Sequence, residues 1–497
     1  MDRLHQAARD GNLEIARELL HQGHDVNERD NILEQTPLHD AFRFNRVEMA
    51  RFLPERGADL EAGDKYGNTP LHNAARFNRV EMVWFLLERG ADLEARDKRG
   101  NTPLHSAITL NRVEMVWFLL ERGADLEARG KHDHTPLHHA VSSNYVGMVG
   151  CLLDRGADLE ARNTSGATPL HSAALWPDRV GMVGFLLERG ADLEARDKHD
   201  HTPVHHAVSS NCVGMVGCLL DRGADLEARN TSGATPLNSA ALWPDRVGMV
   251  RYLLGRGADL EAGDKYGNTP LHNAVTRNRV EMVRYLLGRG ADLEARDKNG
   301  DTPLRLGCPK FNMFEFLLSR GADATTTNNH GRTVLHFILF FDGGPTWMSL
   351  LFDHIDGGPS MLYSKKNSKG YTPLHIARNV ASTRCLVEYG FDPSISGFQS
   401  TWMCPSILFL RDNVGKTPLE HCEKWENKEK AKYLDSFESL SLVDPATMKL
   451  SAGEAGLNQF QRFLARRVYY TVLCKIPTGH DVALRVMAFL CPVDVMK

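Results

Sequence analysis

The sequence predicts an all-α protein, a solenoid in which short helix pairs stack one on another with projecting β-turn loops between them. The tetrad Thr-Pro-Leu-His, or a close variant, returns about every 33 residues over most of the chain. Each tetrad is followed by apolar residues spaced for two short helices, and then by Gly-Ala-Asp. A period of this length indicates one supersecondary unit that buries its apolar face only against its neighbours.

The tetrads set the extent of the array. We expect about thirteen repeats over residues 1–435, the first reduced to Leu4-His5, with wider and less regular spacing after residue 333. The polar stretch after that first tetrad suits an N-terminal cap. The tetrads begin at Thr36, Thr69, Thr102, Thr135, Thr168, Thr202, Thr235, Thr269, Thr302, Thr333, Thr372 and Thr417.

The first helix of a repeat follows from its tetrad. In the repeat beginning at Thr102, this threonine can cap the helix N-terminus. Pro103 then takes the first helical position, where its missing N–H costs nothing. Leu104 and Ala107 lie three apart and share one face, so we expect them to pack between the helices.

The second helix of the same repeat is expected from Val113 to Glu121. Its apolar residues, Met115, Val116, Phe118, Leu119 and Leu120, form a broad stripe. Gly123 supplies the left-handed residue that ends the helix, and the loop that follows carries the projecting turn.

Thr-Pro-Leu-His-x-Ala and Gly-Ala-Asp at this period resemble the ankyrin repeat. The resemblance covers residues 1–435. It implies an elongated stack whose turn tips and first helices line a concave side. It also implies binding of other proteins rather than catalysis, with the tetrad histidine bonding between neighbouring repeats.

Composition and motifs count against several classes of function. The formal net charge of −4 counts against a nucleic-acid-binding protein. Nine cysteines without a CxxC pair favour free thiols, and no run approaches 18 apolar residues, so we expect a soluble intracellular protein. The sequence holds no nucleophile elbow, P-loop lysine or metalloprotease motif, and an enzyme is not expected. The acidic residues of Gly-Ala-Asp-Leu-Glu-Ala-Arg-Asp are expected to pair with arginine and lysine on solvated loops.

Histidine pairs at His138-His139 and His205-His206 raise the question of a metal site. Such a site needs a third and a fourth ligand at defined spacing, and the sequence shows none, so neither a metal nor a cofactor is expected. Both pairs lie in a duplicated block, since residues 131–196 recur with few changes after a shift of 67 residues.

Tryptophans are the candidate target-binding residues. Trp84 and Trp117 take the same second-helix position in successive repeats, where other repeats carry arginine or glycine, so they are either interface anchors or packed on each other and on arginine stems. Trp176 and Trp243 each precede a proline in a lengthened connection and allow the same two interpretations. Inserts at 340–367 and 397–413 contain Trp347 and Trp402, and we expect loops there.

The chain changes character after residue 435. Residues 436–455 are small and polar and indicate a linker. Residues 456–497 then carry two amphipathic helical patterns separated by Ile476-Pro477. The second pattern resembles an F-box, with a longer gap after the proline. The matching positions are Ile476, Pro477, Asp481, Val482, Val486, Leu490, Asp494 and Val495.

An ankyrin array that ends in a truncated F-box is the layout of the PRANC proteins of poxviruses and intracellular bacteria. The resemblance implies that the tail binds the Skp adaptor of a cullin-RING ubiquitin ligase while the array selects a target. The protein would then act in the host-cell cytoplasm, with the nucleus as an alternative. A SOCS-box-like tail, or a helical cap on the last repeat, would explain the same residues. A plain ankyrin scaffold that sequesters a host protein is the alternative function.

Overall fold

A computed structural model describes residues 3–340, 345–355, 360–363, 365–377, 386 and 412–416. These residues form α-helices joined by turns and loops, with two short 3-10 segments at Lys131–Asp133 and Pro177–Arg179 and no β-strand within these ranges. The all-α fold class is confirmed. The chain divides into two compact units, residues 1–240 with 245–259 and residues 241–244 with 260–497.

Each repeat within the described residues contributes a first helix that starts at the tetrad proline, except the first repeat and the one at Val334. These helices are Arg3–Asp10, Pro37–Arg43, Pro70–Arg76, Pro103–Thr109, Pro136–Ser142, Pro169–Ala174, Pro203–Ser209, Pro236–Ala241, Pro270–Thr276, Pro303–Gly307, Val334–Phe340 and Pro373–Ile376. Within each compact unit, neighbouring first helices pack on one another, which is how one repeat buries the face of the next.

A second helix follows each first helix as far as residue 353. These helices are Leu13–His21, Val47–Glu55, Val80–Glu88, Val113–Glu121, Val146–Asp154, Val180–Glu188, Val213–Asp221, Val247–Gly255, Val280–Gly288, Phe311–Ser319 and Pro345–Asp353; a short helix, Ser360–Tyr363, comes after them. The predicted bounds of Val113–Glu121 are confirmed, and Gly123 has the expected positive φ of 89°.

The core lies between the two helix layers. In the repeat of Thr102, the side chains of Leu104, Ala107, Met115 and Leu119 are buried, as the pattern predicts. Aliphatic burial of this kind stabilises each repeat by about 25 cal/mol for every Å² of apolar surface removed from water. The same positions are buried in the neighbouring described repeats, for example Leu71, Ala74, Met82 and Leu86.

The tetrad histidine joins neighbouring repeats. The backbone N–H of Thr102 donates to Nδ1 of His105 (3.2 Å), so the ring proton sits on Nε2 and donates to the carbonyl oxygen of His134 in the next repeat (3.3 Å). The bond between repeats predicted for this histidine is confirmed. It recurs at 2.9–3.2 Å from His39, His72, His138, His171, His205, His272, His336 and His375.

The insert near residue 340 is not a loop throughout. Pro345–Asp353 is a helix that occupies the second-helix place of its repeat, and Met348, Leu351 and Phe352 are buried. The prediction of a loop is wrong there because these apolar residues, three and four apart, have the helical period. The predicted insert at 397–413 lies almost wholly outside the described residues.

The predicted boundaries at residues 435 and 455 also lie outside the described residues, and the division into array, linker and tail stays a prediction. Among the described cysteines, Cys151, Cys212, Cys218 and Cys308 are free thiols, in keeping with the expected absence of a disulfide framework.

Candidate interaction surface and histidine cluster

Two tryptophans stand out from the second-helix layer of the first compact unit. Trp84 and Trp117 occupy the fifth position of helices Val80–Glu88 and Val113–Glu121, and 43% and 39% of their surfaces are exposed. The helix period places this position on the side away from the buried Met82 and Val83. The sequence prediction that the position faces solvent is confirmed for both residues.

Arginines lie over two aromatic side chains of these second helices, Trp117 and Phe85. The guanidinium of Arg155 lies 4.0 Å from the ring centroid of Trp117, and that of Arg89 lies 4.9 Å from Phe85. Cation–π contacts at such distances are worth about 0.5–1 kcal/mol at exposed sites. Among the described residues, no ring contact joins Trp84 to Trp117. Packing on an arginine is therefore confirmed for Trp117, whereas packing of the two tryptophans on each other is not observed.

Among the described tryptophans, Trp176 and Trp243 are the most exposed, with 51% of each surface accessible. Trp176 precedes the 3-10 segment Pro177–Arg179, and the Arg179 guanidinium lies 5.0 Å from its ring centroid. Arg179 is itself anchored, since its Nη1 donates to the carbonyl oxygen of Val141 at 3.1 Å. Trp176 is thus held at the surface by a fixed cation.

Trp347 lies in a different setting from the other candidates. It is half-buried in helix Pro345–Asp353, and its ring centroid lies 5.1 Å from that of Phe311 and 5.4 Å from that of Phe314. These contacts hold the helix against Phe311–Ser319. The side chain therefore packs within its own compact unit rather than in an open loop.

Trp402 and the predicted adaptor-binding residues of the tail lie outside the described residues. The positions concerned in the tail are Ile476, Pro477, Asp481, Val482, Val486, Leu490, Asp494 and Val495. Their assignment rests on the sequence pattern.

The acidic residues of the loops bond to the backbone, which sequence reasoning missed. Oε1 of Glu61 accepts the N–H of Asp92 in the next repeat at 2.8 Å, and Oδ1 of Asp92 accepts the N–H of Glu94 at 2.9 Å. Burial raises the pKa of Glu61, although the bond from Asp92 opposes the rise. The expected pairing with arginine and lysine is wrong for these two acids, because the turn leaves N–H groups closer to them. The glutamate bond recurs at Glu94, Glu127, Glu160, Glu194, Glu227, Glu261 and Glu294.

A cluster of histidines and one aspartate lies beside the tetrad of Thr202, within the first compact unit. Nε2 of His206 is 3.0 Å from Oδ2 of Asp197, and Nδ1 of His201 is 3.5 Å from the same oxygen. Asp197 is buried and sits at the start of the loop, whereas His206 lies on helix Pro203–Ser209. The loop folds back, so residues nine apart in sequence come into contact.

The neighbours of this cluster are also histidines. The ring centroid of His171 lies 4.9 Å from that of His206, and the ring centroid of His205 lies 5.5 Å from that of His201. Sequence reasoning considered only the pair His205-His206 and missed Asp197. The signal that could have found it is the recurring turn, because the first residue of that turn faces the first helix.

The described residues include a surface groove that lacks a catalytic arrangement. An open, largely polar groove lined by Arg17, His21, Asp25, Phe52 and Arg56 separates two second helices, and it holds no paired acid and base with a nucleophile. None of the helices in the described ranges has the length and apolar character needed to cross a bilayer.

Comparison with known families agrees with the fold. Models described as ankyrin repeats match residues 4–97, 128–197 and 196–264 in one case and residues 86–140 and 255–306 in another. Together they cover residues 4–306 without a gap, which is more than half of the chain. A search of curated proteins gave no match. With its helix pairs, tetrad bonds and matched repeats, the chain belongs to the ankyrin-repeat proteins.

Proposed function

We propose that this ankyrin-repeat protein is a substrate adaptor. Ankyrin repeats are protein–protein interaction modules and are generally non-catalytic. In the proposal, the array binds a target protein, and residues 456–497 bind the Skp adaptor of a cullin-RING ubiquitin ligase. The protein contributes proximity, because it holds the target beside the machinery that transfers ubiquitin.

The exposed pair Trp84 and Trp117 supports the target-binding half of the proposal. Tryptophan and arginine are enriched among the residues that dominate the binding energy of protein interfaces, and here the guanidinium of Arg155 lies over the exposed ring of Trp117. The Arg155 contact limits the freedom of Trp117, so binding would cost less side-chain entropy. The exposure of these two tryptophans is the main support for placing the target-binding site on this part of the array.

The pattern of the tail supports the adaptor half. Val482, Val486 and Leu490 fall four apart, which places them on one face of a helix, and Pro477 precedes that helix. An apolar face of this kind is what a helix needs to insert into the groove of a partner. The resemblance to an F-box names the partner as a Skp adaptor.

Two alternatives lead to different outcomes. A scaffold that binds and sequesters a host protein needs the array alone, whereas a SOCS-box-like tail recruits a different adaptor and a cullin. In the adaptor proposal the protein works in the host-cell cytoplasm, with the nucleus as the alternative, because the ligase machinery is present there.

The test of the tail uses the full chain and a eukaryotic lysate. Val486→Asp puts a charge on the apolar face, so we expect it to abolish recovery of the Skp adaptor and the cullin while the melting temperature stays within about 2 °C. Ala488→Asp is the matched control, since two helical steps place it on the opposite face. Recovery of a cullin without the Skp adaptor would favour the SOCS-box-like tail. Recovery of neither by the native chain would favour the scaffold.

The test of the array uses the same preparation. The double change Trp84→Ala and Trp117→Ala should lower the amount of target recovered at least tenfold while leaving the Skp adaptor bound. Trp176→Ala removes a more exposed tryptophan that lies outside the second helices, and it should change neither the recovery of the target nor that of the Skp adaptor. A target that is retained by the double variant but lost with Trp176→Ala would contradict the assignment of the surface.

A further inference from the structure

The ligand atoms of Asp197, His201 and His206 lie within 4.8 Å of one another. We propose that these three residues bind a divalent transition-metal ion of the Zn²⁺ class. Two imidazole nitrogens and one carboxylate oxygen are a donor set that such ions take in proteins, and in tetrahedral coordination the fourth position would go to water. The sequence pattern had excluded a metal because it supplied only two adjacent histidines.

The two spacings that involve the carboxylate suit one ion, and all three ligand atoms lie within 4.8 Å of one another. With bonds of about 2.0–2.1 Å to zinc and tetrahedral angles, two ligand atoms lie about 3.3 Å apart. Oδ2 of Asp197 is 3.0 Å from Nε2 of His206 and 3.5 Å from Nδ1 of His201, on either side of that value. An ion bound by all three would replace the direct Asp197–His206 hydrogen bond with three metal–ligand bonds.

The carboxylate is already oriented by its other oxygen. Oδ1 of Asp197 accepts the backbone N–H groups of His199 (2.8 Å) and His201 (2.9 Å), so Oδ2 is left facing the two rings. Partners of this kind fix the direction of a metal ligand and raise the affinity of the site. The carboxylate is therefore already ordered in the metal-free protein, so binding an ion costs little further side-chain entropy.

A second, nearly identical repeat in the same chain lacks one of the three ligands and serves as a comparison. We call residues 197–230 the second copy and residues 130–163 the first copy of the duplicated repeat. The first copy has His134 and His139 at the places of His201 and His206, but Gly130 at the place of Asp197. Nε2 of His139 is buried without a hydrogen-bond partner. The first copy thus keeps two of the ligands and lacks the third.

The experiment is a titration of the untagged full chain with Zn²⁺ by calorimetry and with Co²⁺ by visible absorption, which reports tetrahedral coordination. The variants are His206→Ala and, on the more exposed ligand, His201→Ala. Their matched controls are His139→Ala and His134→Ala in the first copy, which remove the same side chains without touching the site. Circular dichroism verifies that each variant is folded.

We expect the native chain to bind one equivalent with a tetrahedral Co²⁺ spectrum. His206→Ala and His201→Ala should each weaken Zn²⁺ binding at least tenfold, whereas the first-copy controls should leave it unchanged. The proposal is overturned if the native chain binds no metal, if both second-copy variants keep native affinity, or if the first-copy variants lose as much affinity as the second-copy ones.

Discussion

The two copies of the duplicated repeat differ at three positions, yet their loops fold differently. Gly130, Leu137 and Tyr145 of the first copy are replaced by Asp197, Val204 and Cys212 in the second. The first copy forms a 3-10 segment, Lys131–Asp133, in which His132 and Asp133 both have positive φ. In the second copy the same loop is closed by the side chain of Asp197, and Asp200 alone has positive φ.

The reason for the difference lies partly in the preceding repeat. A Cβ at Gly130 would overlap Oδ1 of Asn101, whereas Ala167 stands at the equivalent place before the second copy. An aspartate at position 130 therefore needs the flexible Asn101 side chain to move, whereas no such amide stands before Asp197. Asp97 and Asp297, by contrast, do follow an asparagine at this place. The comparison teaches that nearly identical repeats can acquire different chemistry through a single loop residue and the neighbour that it faces.

Acid should destabilise both copies alike, and this is the largest effect expected. Burial lowers the pKa of His138 and of His205 to about 4, and in each the bond to the next repeat opposes the shift. The unfolded chain takes up these protons near pH 6.5. The stability is therefore fully present above pH 6.5 and is lost as the pH falls through 4, by about 3 kcal/mol for each histidine. Urea unfolding at pH 7, 5.5 and 4 measures the loss, and equal stability at all three would contradict the account.

Asp197→Gly should turn the second copy into the first. The change removes the acceptor of two backbone N–H groups and leaves Nε2 of the half-buried His206 without its partner. We expect a loss of about 2 kcal/mol in metal-free buffer, since an unsatisfied buried polar group costs about 1–3 kcal/mol. Chelator-treated protein unfolded in urea gives the value. Asp197→Asn, which keeps an acceptor oxygen for the turn, should lose less, and equal losses would show that the carboxylate itself contributes nothing.

Replacing the glycines of the second helices with alanine should give the smallest changes in stability. Gly147 and Gly214 have open space where a Cβ would lie, so alanine there should stabilise each copy by about 1 kcal/mol. At Gly217 the added Cβ would lie 2.6 Å from the hydroxyl oxygen of Tyr252, and at Gly150 it would lie 3.4 Å from Phe185. We expect Gly217→Ala to gain less than Gly150→Ala. Hydrogen exchange of helices Val146–Asp154 and Val213–Asp221 measures both, and a larger gain at Gly217 would argue against the contact.

Much of the fold could be predicted because one pattern recurs. Thr102, Pro103 and Gly123 mark helix ends by backbone chemistry alone, so the bounds of the second helix followed from the sequence. The helix Pro345–Asp353 was missed because its repeat lacks the usual second-helix sequence, although its apolar period was present.

The interaction surface was predictable only in part. That Trp84 and Trp117 face solvent followed from the arginine and glycine found at their position elsewhere, but the arginine over Trp117 depends on how the next repeat packs. The contact of Asp197 with His206 depends on a loop that folds back on its own helix, and no spacing rule in the sequence gives that distance.

The most direct test of the central comparison is to build the second site in the first copy. Asn101→Ala with Gly130→Asp gives the loop its aspartate and makes room for it, beside the His134 and His139 already present. Titration of the folded double variant with Zn²⁺ should give two equivalents where the native chain gives one. A single equivalent in the folded double variant would show that the aspartate and its room are not what distinguishes the two copies.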